Sequence, residues 1–180
     1  MANKLKKVLV TDPISEEGID ILRQEAQVDI KTTLKPEEII AIIGEYDALM
    51  VRSQTKVTAA IIEAGKNLQV IARAGVGIDN VDVEAATRCG VVVVNAPTGN
   101  TVSAAEHAFA LMLALARNIP QANASLKKCE WKRNDFMGTE LRGKTLGIIG
   151  LGNVGSEVAK RAQSFEMRLI GRDPLVSEEY

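Results

Sequence analysis

Over the first hundred residues, short apolar runs rich in β-branched side chains alternate with stretches of helical periodicity. The runs are KVLVT at 7–11, VDIK at 28–31, ALMV at 48–51, QVIA at 69–72 and VVVVN at 91–95. Runs this continuous suit parallel strands covered on both faces, and intervals of about 15 to 20 residues suit crossover helices. Local signals mark the helices. Ser15 is placed as an N-cap, with Glu16 and Glu17 in the first turn and Ile14 set to staple onto Ile19. Pro36 followed by Glu37 and Glu38 opens a second helix, and Asp82 caps another that stops at Gly90. The pattern predicts an α/β fold whose first domain, residues 1–98, is a flavodoxin-like five-stranded parallel sheet.

The rhythm breaks at NAPTGNT, 95–101, whose turn residues predict a hinge. Ser103 with Glu106 three residues on has the form of a capping box, ahead of HAFALMLALARN. That helix is apolar nearly all round, so its own domain or a second subunit must cover it, and a homo-oligomer interface over 103–129 is favoured. Pro120 ends or restarts the helix, and 128–144 is a connection for which Trp131 is the expected anchor.

Composition narrows the partners. Of 180 residues, 46% are apolar, and a formal net charge of −1 without charge blocks gives no field to hold nucleic acid or an anionic membrane. The longest uninterrupted apolar run, 108–116, is far too short to span a bilayer, and the N-terminal stretch lacks a signal-type core, so the protein is expected in the cytoplasm. Cys89 and Cys129 have no metal-ligand spacing and read as reduced thiols.

The chemistry concentrates in TLGIIGLGNVGSEVAK, 145–160. Gly150, Gly152 and Gly155 directly follow a strand pattern, and Val154, Val158, Ala162 and Phe165 then share one helical face. A second strand, MRLIG, leads to Asp173, 18 residues beyond Gly155 (173 − 155). Together these form the first βαβ unit of a Rossmann dinucleotide-binding domain, within residues 99–180. In this reading Gly150 permits the tight turn, Gly152 leaves room for a pyrophosphate, and Gly155 lets helix and strand pack closely. The helix-start residues Asn153 and Val154 bring amides toward the phosphates, and the Asp173 carboxylate accepts from ribose hydroxyls. A 2′-phosphate would meet a like charge at Asp173, so NAD is favoured over NADP.

VRSQTKVT (51–58), ARAGVGIDNVD (72–82), NAPTGNTVSAAEH (95–107), FMGTELRGKTLGIIGLGNVG (136–155) and the Asp173 position carry a resemblance along the whole chain. The sequence resembles the D-isomer-specific 2-hydroxyacid dehydrogenases. The resemblance implies a substrate-side first domain, an NAD-binding second domain and oxidation of a small phosphorylated hydroxy acid, 3-phospho-D-glycerate. It also implies that Arg52, Ser53, Arg73, Gly75 and Gly77 line the substrate side, Val76 the nicotinamide side, and Asn100 and Ser103 the hinge. Independently, Arg52 and Arg73 sit just past strand C-termini, where open α/β sheets place ligands, although a solvated surface arginine explains either position equally well. Glyoxylate or hydroxypyruvate reduction is the alternative activity, and a non-catalytic short protein that binds nucleotide or dimerises is the alternative class.

Two positions depart from the family pattern: Glu166 stands where relatives carry glycine after the helix, and Arg172 where they carry tyrosine before the acid. The family's catalytic arginine and its glutamate–histidine pair are expected downstream of Tyr180. No catalytic residue is therefore assigned here, and the 180-residue chain is expected to be the inactive N-terminal portion of the enzyme. The single histidine, His107, is read as structural, because adjacent helix positions point about 100° apart and Glu106 cannot orient it.

Overall fold

Successive side chains of a strand face opposite ways, and the first hundred residues use both faces. The computed structural model describes residues 5–175. One unit runs to Gly99 and a second begins at Asn100.

The first unit is β1 (Lys6–Val10), α1 (Glu16–Glu25), β2 (Ala26–Ile30), α2 (Pro36–Ile42), β3 (Ala48–Val51), α3 (Ala59–Ala64), β4 (Val70–Arg73), α4 (Val83–Arg88) and β5 (Val92–Asn95). All strands are parallel, in the order β2-β1-β3-β4-β5. That is the flavodoxin-like order, with its switch point between β1 and β3. Leu9, Leu49, Val51 and Ile71 are buried on one face with Ile39 of α2, Ile61 and Ile62 of α3, and Ala85 and Ala86 of α4. Val8 and Val10 face the other way onto Ile19 of α1, with Ile14, Leu22 and Met50 around them. Coverage of both faces holds for the central strands only. On β5, Val92 and Val94 are exposed, whereas α1 on that face packs over β1, β2 and β3.

The local signals act as their chemistry demands. Ser15 Oγ accepts from Gly18 N at 3.4 Å, and Asp82 Oδ1 from Ala85 N at 2.9 Å. Pro36 occupies the first turn of α2, where Glu38 Oε2 accepts from Lys35 N at 2.7 Å. Gly90 takes φ +70° after α4, a conformation that costs glycine nothing.

The second unit contains α5 (Thr101–Ala116), α6 (Ile119–Lys127), β6 (Thr145–Ile149), α7 (Asn153–Ser164) and β7 (Arg168–Arg172), with β6 and β7 parallel. Two expectations are corrected here. Ser103 is not an N-cap: α5 begins at Thr101, three residues earlier than that cap would place it, behind Asn100, whose carbonyl accepts from Ala104 N at 2.9 Å. The reason is packing, since Thr101, Ala105 and Phe109 form one buried stripe at four-residue spacing, so the helix starts where that stripe starts. Glu106 serves no capping box and accepts from Arg161 Nη2 of α7 at 3.5 Å. Trp131 is no anchor, being 77% exposed; Phe109 and Phe165 instead pin α5 to the end of α7, their ring centroids 5.2 Å apart. Of Val154, Val158, Ala162 and Phe165, Ala162 is buried while Val154 and Phe165 are exposed. Pro120 restarts the chain as a helix, after Asn118 at φ +53°.

Candidate functional site

The parallel register brings the C-terminal ends of β1, β3, β4 and β5 to one edge of the first unit. Each strand there runs into a short polar loop. Beyond β1, Asp12 is only 1% exposed, and its carboxylate accepts from Arg52 N at 2.6 Å, Gln54 N at 3.1 Å and Thr55 N at 3.1 Å. The Thr55 hydroxyl donates to the same carboxylate and lies 3.0 Å from the Thr11 hydroxyl. From the other side Asn80 Nδ2 donates to the carbonyls of Arg52 and Thr55, both at 2.7 Å. The loop 52–55 is therefore held by its amides and its carbonyls, while the Arg52 and Ser53 side chains stay exposed.

Beyond β4 the chain turns tightly, with Gly75 N donating to Arg73 O at 2.8 Å. A Cβ on Gly75 would collide with Arg73 Nη1, so glycine lets the guanidinium lie back over the turn. The turn is fixed from β5: Ala96 N donates to Gly75 O at 3.0 Å and Asn95 Nδ2 to Val76 O at 2.6 Å. Among the described residues, the N–H groups of Val76 and Gly77 and the buried Arg73 Nε have no hydrogen-bond acceptor. These are donors gathered where an anion can be received.

The second unit presents the glycine turn. Gly150 has φ +93°, accessible to glycine at no cost, and its N–H donates to Arg172 O at 2.8 Å. A Cβ on Gly152 would meet nothing within 4 Å, so the surface above it is open to a bulky group. Ser156 N donates to Gly152 O at 2.9 Å, and Ser156 Oγ to Leu151 O at 2.9 Å, fixing the start of α7. Asn153 and Val154 form its first positions, where helix amides and the dipole favour anionic groups. The turn fits the pyrophosphate of a dinucleotide: room above Gly152, amides below.

Asp173 follows β7 as expected but is already engaged. Its Oδ2 accepts from Leu151 N at 2.7 Å and its Oδ1 from Leu175 N at 2.8 Å. The N–H of Leu175 foremost, then that of Leu151 and the charge of Arg172, hold this carboxyl below its ordinary value. Each oxygen keeps a further lone pair for a ribose hydroxyl. Asn100 caps α5 and Ser103 lies exposed in its first turn. His107 is exposed on α5 rather than packed in a core.

Sequence reading missed Asp12, Thr55, Asn80 and Asn95. Their signal was faint: a short polar residue just past an apolar run, as in KVLVTD and VVVVN, marks a strand end without naming its partner.

Residues 8–169 match the family described as "D-isomer specific 2-hydroxyacid dehydrogenase, catalytic domain". The chain belongs to this family. It is 59% identical over 175 residues to D-3-phosphoglycerate dehydrogenase of Synechocystis sp., covering 97% of this chain and 32% of that one. With the enzyme of the same name from Archaeoglobus fulgidus it shares 59% over 174 residues, 96% of this chain and 33% of the relative. Among solved structures it resembles the NAD+-bound 3-phosphoglycerate dehydrogenase of Entamoeba histolytica, with TM-score 0.76 and 32% identity over 97% of this chain and 56% of that one. The chain thus spans about a third of the length of the curated relatives it matches.

Proposed function

We propose that this chain forms the substrate-side and first nucleotide-side portions of an enzyme oxidising 3-phospho-D-glycerate at C2 to 3-phosphooxypyruvate, the first step of serine biosynthesis. The observation that carries this reading is the 59% identity to D-3-phosphoglycerate dehydrogenases along nearly the entire chain. Two exposed or half-buried arginines at the ligand edge of a parallel sheet support it.

In this reading Arg52, Ser53, Arg73, Gly75 and Gly77 bind the anionic substrate, with Arg73 Nε and the free amides of the turn as its donors. Val76 borders the nicotinamide, and Asn100 and Ser103 flank the hinge. Gly150, Gly152, Asn153, Val154 and Gly155 receive the dinucleotide pyrophosphate, and Asp173 receives the ribose. NAD, when bound, supplies the hydride acceptor. The Asp173 charge disfavours a 2′-phosphate, so NAD is preferred over NADP, while Arg172 beside it works in the opposite direction.

Self-association fits the apolar surface of the second unit: Leu111 and Leu115 of α5 and Ile119 and Leu126 of α6 are all exposed. We assign the homo-oligomer contact to this 103–129 region. Among the described residues no helix is long and apolar enough to cross a membrane, and a cytoplasmic location goes with the proposed activity.

The test is a chimera joining residues 1–180 to the C-terminal portion of the Synechocystis relative. It is expected to form NADH with 3-phosphoglycerate, whereas the 180-residue chain alone is expected to form none, because its single imidazole stands exposed on α5. Arg52→Ala or Arg73→Ala should weaken 3-phosphoglycerate about 10- to 100-fold, and an unphosphorylated hydroxy acid far less. A chimera that prefers glyoxylate or hydroxypyruvate, with equal losses for both substrate types, would refute the phosphoglycerate reading.

A further inference from the structure

We propose that Asp12 and Asn80 are positioning residues that set where Arg52 stands against the substrate, an inference that rests on the substrate reading above.

A fully buried carboxylate is costly unless donors surround it. Asp12 has no cationic partner among the described residues; its charge is met by the Arg52, Gln54 and Thr55 amides and the Thr55 hydroxyl. The loop is wrapped around the carboxylate. Asn80 grips the opposite polar edge, donating to the carbonyls of Arg52 and Thr55, the first and last residues of the same loop. Its own carbonyl accepts from Val57 N at 2.8 Å, and Asp82 N donates to Val57 O at 2.9 Å, lacing the segment after the loop to 80–82.

The clamp holds the backbone and leaves Arg52, Ser53 and Gln54 exposed, with Arg52 Nη1 donating to Pro13 O at 3.4 Å. Arg52 follows Val51, which pairs with Arg73 in the sheet. Asn80 lies three residues beyond Gly77 in sequence (80 − 77), so one side chain ties the Arg52 loop to the segment that carries the Arg73 turn. Removing either grip frees the loop, and a displacement of about 1 Å of a substrate-gripping group costs up to roughly a hundredfold in its function.

The alternative is that Asp12 merely stabilises the fold. A control of comparable instability separates the two: Ile19→Ala opens a cavity in the cluster beneath α1, to which no residue of the 52–55 loop belongs. The experiment titrates the ¹⁵N-labelled 180-residue chain with 3-phosphoglycerate, in parallel with amide hydrogen exchange. Asp12→Ala and Asn80→Ala should each weaken binding about tenfold or more relative to Ile19→Ala, and Asp12→Asn, which keeps one acceptor oxygen, should recover most of the loss. Equal affinities in Asp12→Ala and Ile19→Ala would overturn the proposal. If the unmodified chain gives no response to 3-phosphoglycerate, the KM of the chimera for 3-phosphoglycerate replaces the affinity in the same comparison, and exchange reports separately on whether the Asp12 carboxylate holds the loop. Loss of protection at Arg52, Gln54 and Thr55 in Asp12→Ala but not in Ile19→Ala then sustains it, and retained protection overturns it.

Discussion

Helix α7 begins so close to the preceding turn that a methyl group on Gly155 would fall on the carbonyl oxygen of Gly150. Gly152, between them, borders open space. The three glycines thus do different physical work, one accepting a left-handed backbone, one leaving a surface bare and one permitting contact.

The two substitutions Gly155→Ala and Gly152→Ala should therefore separate. Gly155→Ala must push α7 off the strand and is expected to destabilise the second unit by about 2 kcal/mol or more. Gly152→Ala is expected to leave stability within about 0.5 kcal/mol while weakening NAD binding, because its methyl group occupies the space above the turn. Denaturant melts and NAD titrations of both variants check this; equal melts for the two would refute it.

Asp173 holds the glycine turn from below, so it should matter for both cofactor choice and pH. In the chimera, Asp173→Ala should raise the KM for NAD and narrow the preference over NADP. Because the folded carboxyl titrates below its ordinary 3.8, its contribution to stability is present above that value and is lost as pH falls through the lower folded one. A ¹³C titration of the side chain should find Asp173 still mostly ionised at pH 3.8; half-protonation there would remove the amide contacts from the account.

Tyr46 gives an alkaline counterpart. It is 3% exposed, and its hydroxyl donates to Asp29 Oδ2 at 2.9 Å. Burial foremost, then that hydrogen bond and the charge of Asp29, push its pKa up to about 12. The proton is retained by the folded chain after the unfolded chain has lost it, so stability should fall as pH rises from 10 to about 12. The difference in absorbance titration at 295 nm between the wild-type chain and Tyr46→Phe reads this group alone, and a midpoint near 10 would contradict the assignment.

Glu166 occupies φ +54°, where a side chain is strained and glycine is not. Its compensation is an exposed ion pair with Arg142 Nε at 2.8 Å, which is worth little in water. Glu166→Gly is accordingly expected to stabilise the chain by about 0.5 to 1 kcal/mol, measured by denaturant unfolding. A loss of stability would show that the Arg142 pair outweighs the backbone strain.

Much of this architecture was legible in the sequence because its determinants are local. Strand runs, the caps at Ser15 and Asp82, the proline start at Pro36 and the glycine turn at 150–155 depend on residues a few positions apart, and the structure places them where their chemistry requires. The same locality explains the failures. Ser103 carried a sound capping signal, but burial of Thr101 in the stripe with Ala105 and Phe109 moved the helix start upstream. Trp131 looked like an anchor on size alone, and nothing local reveals that Phe109 meets Phe165 instead. Arg52, Arg73 and the glycine motif could be named from the chain, yet the loop that presents Arg52 is held by Asp12 forty residues earlier and Asn80 twenty-eight later. Periodicity and caps fix elements because their energies arise within a turn or two of chain. Which buried carboxylate meets which amide is decided only when the parallel strands align, since hydrogen bonds act over about 3 Å in space and carry no signature in sequence separation.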